Sequence, residues 1–272
     1  MIKYIKDIIK KEYGFDVDHC SKEDLLKVTK IETSDVTGVG RSQVSYDWDY
    51  SEFPNLKTLD CSYNYIDTIN IQQNTLLEEI NWQGVRGNFT NPIDLSGNPH
   101  LKKIIAGQDG LTELDLSNNT ELEDLRIFLN SSFRWINLDK CTKLRRIHLM
   151  GVNIPFVDLT HCPDLEFCDI NYMNLYRNKN DVYGDGYPRP LVFVQDNFDE
   201  NIIPENTRTQ SFYTYYLIRT KSNSAEEQFL NYLKSNKRVF VSIAPDNYGR
   251  EVAQMHYKLL DLLEEYRKNN SV

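Results

Sequence analysis

The sequence predicts an α/β solenoid: stacked short coils whose strands make one parallel sheet, with a helical cap before them and a small α/β region after them. Three observations carry this. An apolar residue opens a similar segment at Leu56, Leu77, Leu101, Leu122, Leu144 and Leu165, in steps of 21, 24, 21, 22 and 21 residues. Within each unit the fourth and sixth positions are apolar too: Leu59 and Cys61, Ile80 and Trp82, Ile104 and Ala106, Leu125 and Ile127, Ile147 and Leu149, Cys168 and Ile170. That period of two describes a short strand with one buried face. A second apolar pair follows further on, at Ile69 and Ile71, Ile93 and Leu95, Leu114 and Leu116, Ile136 and Leu138, Val157 and Leu159. A single coil this short cannot bury two apolar sides, so successive coils must stack.

The segments LKTLDCSYN, IDLSGNPHL, LTELDLSNNTEL and VDLTHCPDL resemble bacterial leucine-rich repeat proteins, in the half-units L-x-x-L-x-[LC]-x-x-N and L-D-L-S-x-N-x-x-L. The resemblance covers residues 28 to 175. It implies a right-handed parallel-sheet solenoid, and it says little about function, since this family holds many unrelated binders and few enzymes. In that pattern an Asn satisfies backbone groups where the coil turns, and Asn64, Asn74, Asn98, Asn119 and Asn130 fill such places here. Cys141 and Cys162 stand where Asn74, Asn98 and Asn119 stand in earlier units. Strand spacing of roughly 5 Å would permit a disulfide between them, but two thiols packed as small hydrophobes is the preferred reading. One unit departs from the pattern: Val85 and Gly87 replace the expected Asn and apolar residue, and QGVRGNFTNP carries extra residues that predict a bulge.

Residues 1 to 27 read as a helical cap. Ile2, Ile5, Ile8 and Ile9 share one helix face, and Ser21 with Asp24 marks a second helix start. Lysines 3, 6, 10 and 11 leave membrane-surface binding as the alternative, although residues 2 to 11 include no Trp or Phe. Residues 28 to 36 predict a degenerate first coil, and residues 44 to 48 alternate like a strand. After Leu175 the turn-rich YRNKNDVYGDGYPRP marks a boundary. Residues 176 to 272 then predict a small α/β domain or elaborate cap, from LVFVQD, SFYTYYLIRT, a helix opened by Ser224-x-x-Glu227, RVFVSIA and a final helix over 248 to 267.

Composition removes several functions. The chain is 272 residues with a formal charge of −9, and residues 56 to 171 carry 10 basic against 16 acidic side chains, so binding to bare nucleic acid is not expected. The N-terminus lacks an uninterrupted apolar stretch, and no run approaches the roughly 18 residues of a membrane span, which together predict a cytoplasmic protein. The cysteine number is odd, and no pair has zinc spacing. His161 beside Cys162 is too sparse a donor set for a metal. TGVGRS at residues 37 to 42 lacks phosphate-loop spacing, and Asp181 and Asp185 lack that of a calcium loop. Asp196, Asp246 and His256 are candidate catalytic groups without a supporting motif, so neither catalysis nor a cofactor is expected.

The expected function is therefore recognition of another protein on the outward strand face. Residues alternating with the buried ones form three columns: Thr58, Glu79, Lys103, Asp124, Arg146, Phe167; Asp60, Asn81, Ile105, Arg126, His148, Asp169; and Ser62, Gln83, Gly107, Phe128, Met150, Asn171. Ile105, Arg126, Phe128, Arg146, His148, Met150 and Phe167 cluster toward the C-terminal coils, the aromatic and Arg mixture of interface anchors. Three alternatives stay open: an enzyme or nucleotide binder in the C-terminal region, an exported surface adhesin, and a C-terminal region that folds back over this cluster.

Overall fold

A computed structural model describes residues 3–34, 46–85, 93–107, 110–130, 132–171, 190–205, 216–236 and 250–269. Its centre is a seven-stranded parallel sheet built from β1 (Lys30–Glu32), β3 (Thr58–Asp60), β5 (Glu79–Asn81), β6 (Lys103–Gly107), β8 (Asp124–Phe128), β10 (Arg146–Met150) and β12 (Phe167–Asn171), ordered as they occur in the chain. The six expected strands pair in the expected register, and the degenerate first coil contributes the seventh, with Lys30 opposite Thr58. β3 and β5 are shorter than expected. Their pairing nevertheless continues past the strand ends, since Cys61 N–H donates to Asn81 and Trp82 N–H to Ile105 at 2.9 Å each.

Stacking repeats one hydrogen-bond device. The carbonyls of Lys57, Glu78, Lys102, Glu123 and Arg145 each accept two N–H groups from the start of the next strand. The alternating inward residues are buried as the period of two requires, with Leu125, Ile127, Ile147 and Leu149 fully enclosed. Gly107 ends β6 at φ +145, and a Cβ there would lie 2.0 Å from the carbonyl oxygen of Phe128, so only glycine lets these strands approach.

A second layer lines the opposite side. β2 (Tyr46–Asp49) pairs with β4 (Ile66–Asn70), and β7 (Glu113–Asp115) with β9 (Trp135–Asn137), all in parallel. Where this layer turns back, the Asn side chains form a ladder. Asn74 Nδ2 donates to Tyr50 and Phe53, Asn98 to Ile71 and Asn74, and Asn119 to Leu95 and Asn98, all at 2.8–3.1 Å. Cys141 takes the next rung with its thiol. These contacts satisfy carbonyls that the turns would leave buried and unpaired.

At the N-terminal end, α1 (Lys3–Tyr13) buries Ile5 and Ile9 completely in the same core as Val28 and Ile31. Tyr13 ties that helix to the edge strand: its hydroxyl donates to the carbonyl of Lys30 at 2.8 Å and accepts from the N–H of Lys30 at 3.0 Å. α2 (Lys22–Leu25) begins at the expected helix start, where Ser21 and Asp24 exchange both bonds of a capping box.

At the other end, β11 (Phe156–Asp158), β13 (Leu191–Gln195) and β14 (Tyr216–Thr220) form a parallel sheet that prolongs the second layer. The expected boundary after Leu175, the TGVGRS, QGVRGNFTNP and RVFVSIA segments, Asp181, Asp185 and Asp246 lie wholly or mainly outside the described residues. The apolar run LVFV is buried on both faces, as a continuous run should be. Val192 and Val194 enter the solenoid core, while Leu191 and Phe193 pack with α3 (Ala225–Ser235) and α4 (Arg250–Asn269). Ser224 caps α3 by accepting from Glu227 N–H at 3.2 Å, as expected. An aromatic column, Trp135 on Phe156 at 5.3 Å and Phe156 on Phe193 at 6.3 Å, crosses successive strands of this layer.

Candidate partner-binding surface

The registers place the seven expected binding residues on one face of β6, β8, β10 and β12. Arg126, His148 and Asp169 make one row with Ile105; Asp124, Arg146 and Phe167 make the next; and Gly107, Phe128 and Met150 the third. All seven are half-buried except Arg146, which is exposed. The described helices α3 and α4 pack on the second layer, through Trp135, Phe156 and Phe193.

Within the patch, His148 is the hub. Its ring meets Phe128 edge-on at 4.9 Å and Phe167 at 6.0 Å. Its Nε2 lies 3.2 Å from Oδ2 of Asp169, whose side chain is only 10% exposed. Burial pushes the His148 pKa below the ordinary imidazole range; Asp169 and Asp124 oppose that shift, whereas Arg126 and Arg146 add to it. Arg126 is held bidentately by Asp124, Nε to Oδ1 at 2.9 Å and Nη2 to Oδ2 at 2.6 Å, with both residues on β8 two positions apart. Arg146 instead lies over the Phe167 ring, its guanidinium carbon 4.7 Å from the centroid.

This layout is decided by the repeat itself, because each strand repeats the same inward pair and therefore returns the alternating residues to the same rows. Coils of 21 or 22 residues between β8, β10 and β12, rows in register and an Asn ladder at the turns settle the architecture. The fold is that of a leucine-rich repeat solenoid.

No protein-family model and no curated protein matches the chain. Among solved structures, this leucine-rich repeat chain is similar to the functional domain of InlJ from Listeria monocytogenes, which includes a cysteine ladder: identity is 21%, coverage 67% of this chain and 42% of that chain, and the TM-score 0.46. It is also similar to internalin C2 from Listeria monocytogenes, at 12% identity, 80% and 93% coverage, and a TM-score of 0.38. The chain thus spans 42% of the InlJ chain.

A second polar cluster lies where the leucine-rich repeat coils meet α3. Lys234 Nζ is 2.6 Å from Asp139 Oδ1 and 2.5 Å from Asp158 Oδ2, and Asp158 also accepts from the N–H and hydroxyl of Thr160. Among the described residues, the donor atoms of Asp139, Asp158 and His161 lie within 4.8 Å of one another, close enough to share a cation. Lys234 supplies positive charge there already. The sequence offers only His161 beside Cys162 there; nothing local links His161 to Asp139 or to a lysine on a distant helix. Strand alternation puts Asp169 in its column, but nothing in the spacing marks it as the buried partner of His148. Asp124 and Arg126 share a face, being two positions apart on a strand, but their pairing appears only in the structure. Asp196 pairs with Lys221 at 3.2 Å, while the side chain of His256 lies outside the described residues.

Proposed function

We propose that this chain is a protein-binding module without catalysis of its own, and that it docks a partner protein on the C-terminal half of the strand face through Ile105, Arg126, Phe128, Arg146, His148, Met150 and Phe167. The observation that carries this is the cluster centred on His148, in which two aromatic rings and two guanidinium groups are held in place by their neighbours yet keep a solvent-facing side. Pre-held aromatic and Arg side chains lose little entropy on binding and dominate interface energies. The rigid solenoid suits such a role, because its inward residues hold the fold while the outward ones vary freely. The same reading puts the protein in the cytoplasm, supported by an odd number of cysteines, four of them buried. It requires no cofactor, nucleic acid or membrane.

The test is a comparative pull-down from native lysate, using the intact chain, Phe128→Ala and Arg146→Ala. A protein retained by the intact chain and lost with both variants supports the site; retention by all three removes it.

A further inference from the structure

We infer that the partner presents an acidic segment to this patch, and that its capture tightens as the pH falls because His148 takes up a proton on binding. The inference rests on the strand-face reading above and adds the partner's chemistry to it. Three placements carry it. Arg126 is already neutralised by its bidentate pair with Asp124. Arg146, one row away, is exposed and rests on the Phe167 ring, so its guanidinium is held in position while its hydrogen-bonding edge stays available to a carboxylate. His148 is two positions along the same strand and therefore on the same face, with Nε2 directed at the buried Asp169. A proton on its ring would leave Asp169 holding one N–H and add a second N–H on the strand that carries Arg146. An extended acidic peptide could engage Arg146 and His148 while an apolar side chain lies against Phe128, where Gly107 contributes no side chain to the neighbouring strand.

Electrostatics confine the acidic segment to these coils. Earlier in the sheet the same face carries Asp60, whose charge would repel it, while Lys30 and Lys103 are already paired with Glu32 and Glu79 at 2.7 and 3.5 Å. The charges around His148 are Asp124 and Arg126 on β8, Arg146 on its own strand and Asp169 on β12. In the free protein burial keeps the ring neutral at pH 7; a carboxylate docked nearby favours the charged ring and raises its pKa. The sign follows by linkage: extra affinity is complete below the free-state pKa and disappears as pH rises through the bound-state value.

The test uses the full chain and two capped peptides, acetyl-Glu-Leu-Glu-Phe-Glu-amide and acetyl-Lys-Leu-Lys-Phe-Lys-amide, followed by NMR of the His148 ring and Met150 methyl at pH 7.5 and 5.5. We expect the Glu peptide to shift both signals, raise the His148 pKa and bind at least fivefold tighter at the lower pH. His148→Gln should remove the pH dependence, and Arg146→Gln should weaken binding at least fivefold at both pH values. Arg146→Lys, which keeps charge but not the fork, should fall between. Thermal melts of each variant confirm folding. Equal or tighter binding of the Lys peptide, affinity independent of pH, or no binding at millimolar peptide would overturn the inference. If the Lys peptide binds at Phe128 instead, the strand-face reading survives without it; if shifts fall away from this face, both fail.

Discussion

Cys141 occupies the ladder rung that follows Asn119, its sulfur 3.9 Å from the Asn119 carbonyl oxygen and 3.7 Å from that of Leu116. Asn119 makes the equivalent pair of contacts one coil earlier, to Asn98 and Leu95. The thiol is a weaker donor than an amide, so this rung is satisfied by burial and fit as much as by hydrogen bonding.

Burial pushes the Cys141 thiol up to about 12, and raises those of Cys61 and Cys162 as well. Because the thiolate is the reactive form, these groups should resist iodoacetamide at pH 8 in the folded protein, with the half-buried Cys20 reacting before the four buried thiols. Mass spectrometry before and after denaturation checks this. Only three alkylated thiols after denaturation without reductant would indicate a disulfide.

Leu125 and Ile147 are fully buried and stand opposite each other on β8 and β10. Changing either to Ala should cost about 2 to 5 kcal/mol in urea melts, through lost burial and the cavity left behind. A loss below about 1 kcal/mol would place them outside the core.

Lys234 joins α3 to two successive coils through Asp139 and the buried Asp158. Lys234→Met should destabilise the chain by about 1 to 3 kcal/mol, less than a fully buried pair because Asp139 remains half-exposed. Asp158→Asn introduced alongside should recover part of the loss, since it removes the uncompensated charge. Urea melts of both variants measure the difference.

His148 has a folded-state pKa below the ordinary value, so protonation favours the unfolded chain. Its contribution to stability is fully present above about pH 6.5 and declines as pH falls from there through the folded-state pKa. Melts at pH 7.5 and 5.0 should show a smaller acid-induced loss for His148→Gln than for the parent protein.

Once the partner is in hand, calorimetry should show Phe128→Ala and Arg146→Ala each weakening binding by about 1 to 4 kcal/mol. Asp60→Ala should act on stability instead. Asp60 accepts from Asn81 at 2.9 Å and from the Ser62 hydroxyl at 2.6 Å, so its role is to hold neighbouring coils together.

Much of the fold and the rows of the candidate surface were determined by sequence alone. A strand alternates its side chains, and a coil of nearly constant length returns each position to the same place, so local spacing puts Arg126 beside His148 and His148 beside Asp169. The leucine-rich repeat resemblance also implied the turn role of Asn74, Asn98 and Asn119, whose amides donate to carbonyls of the coil before. What tertiary structure decided was everything that depends on an unrepeated contact. Leu191–Gln195 could have begun a sheet of its own; it pairs with β11 because both its faces are apolar and each needs cover. Lys234 reaches Asp139 across 95 residues, and the burial of Asp169 depends on what surrounds it in space. Periodicity specifies the direction in which a side chain points, whereas burial and pairing across distant segments depend on how the whole chain packs.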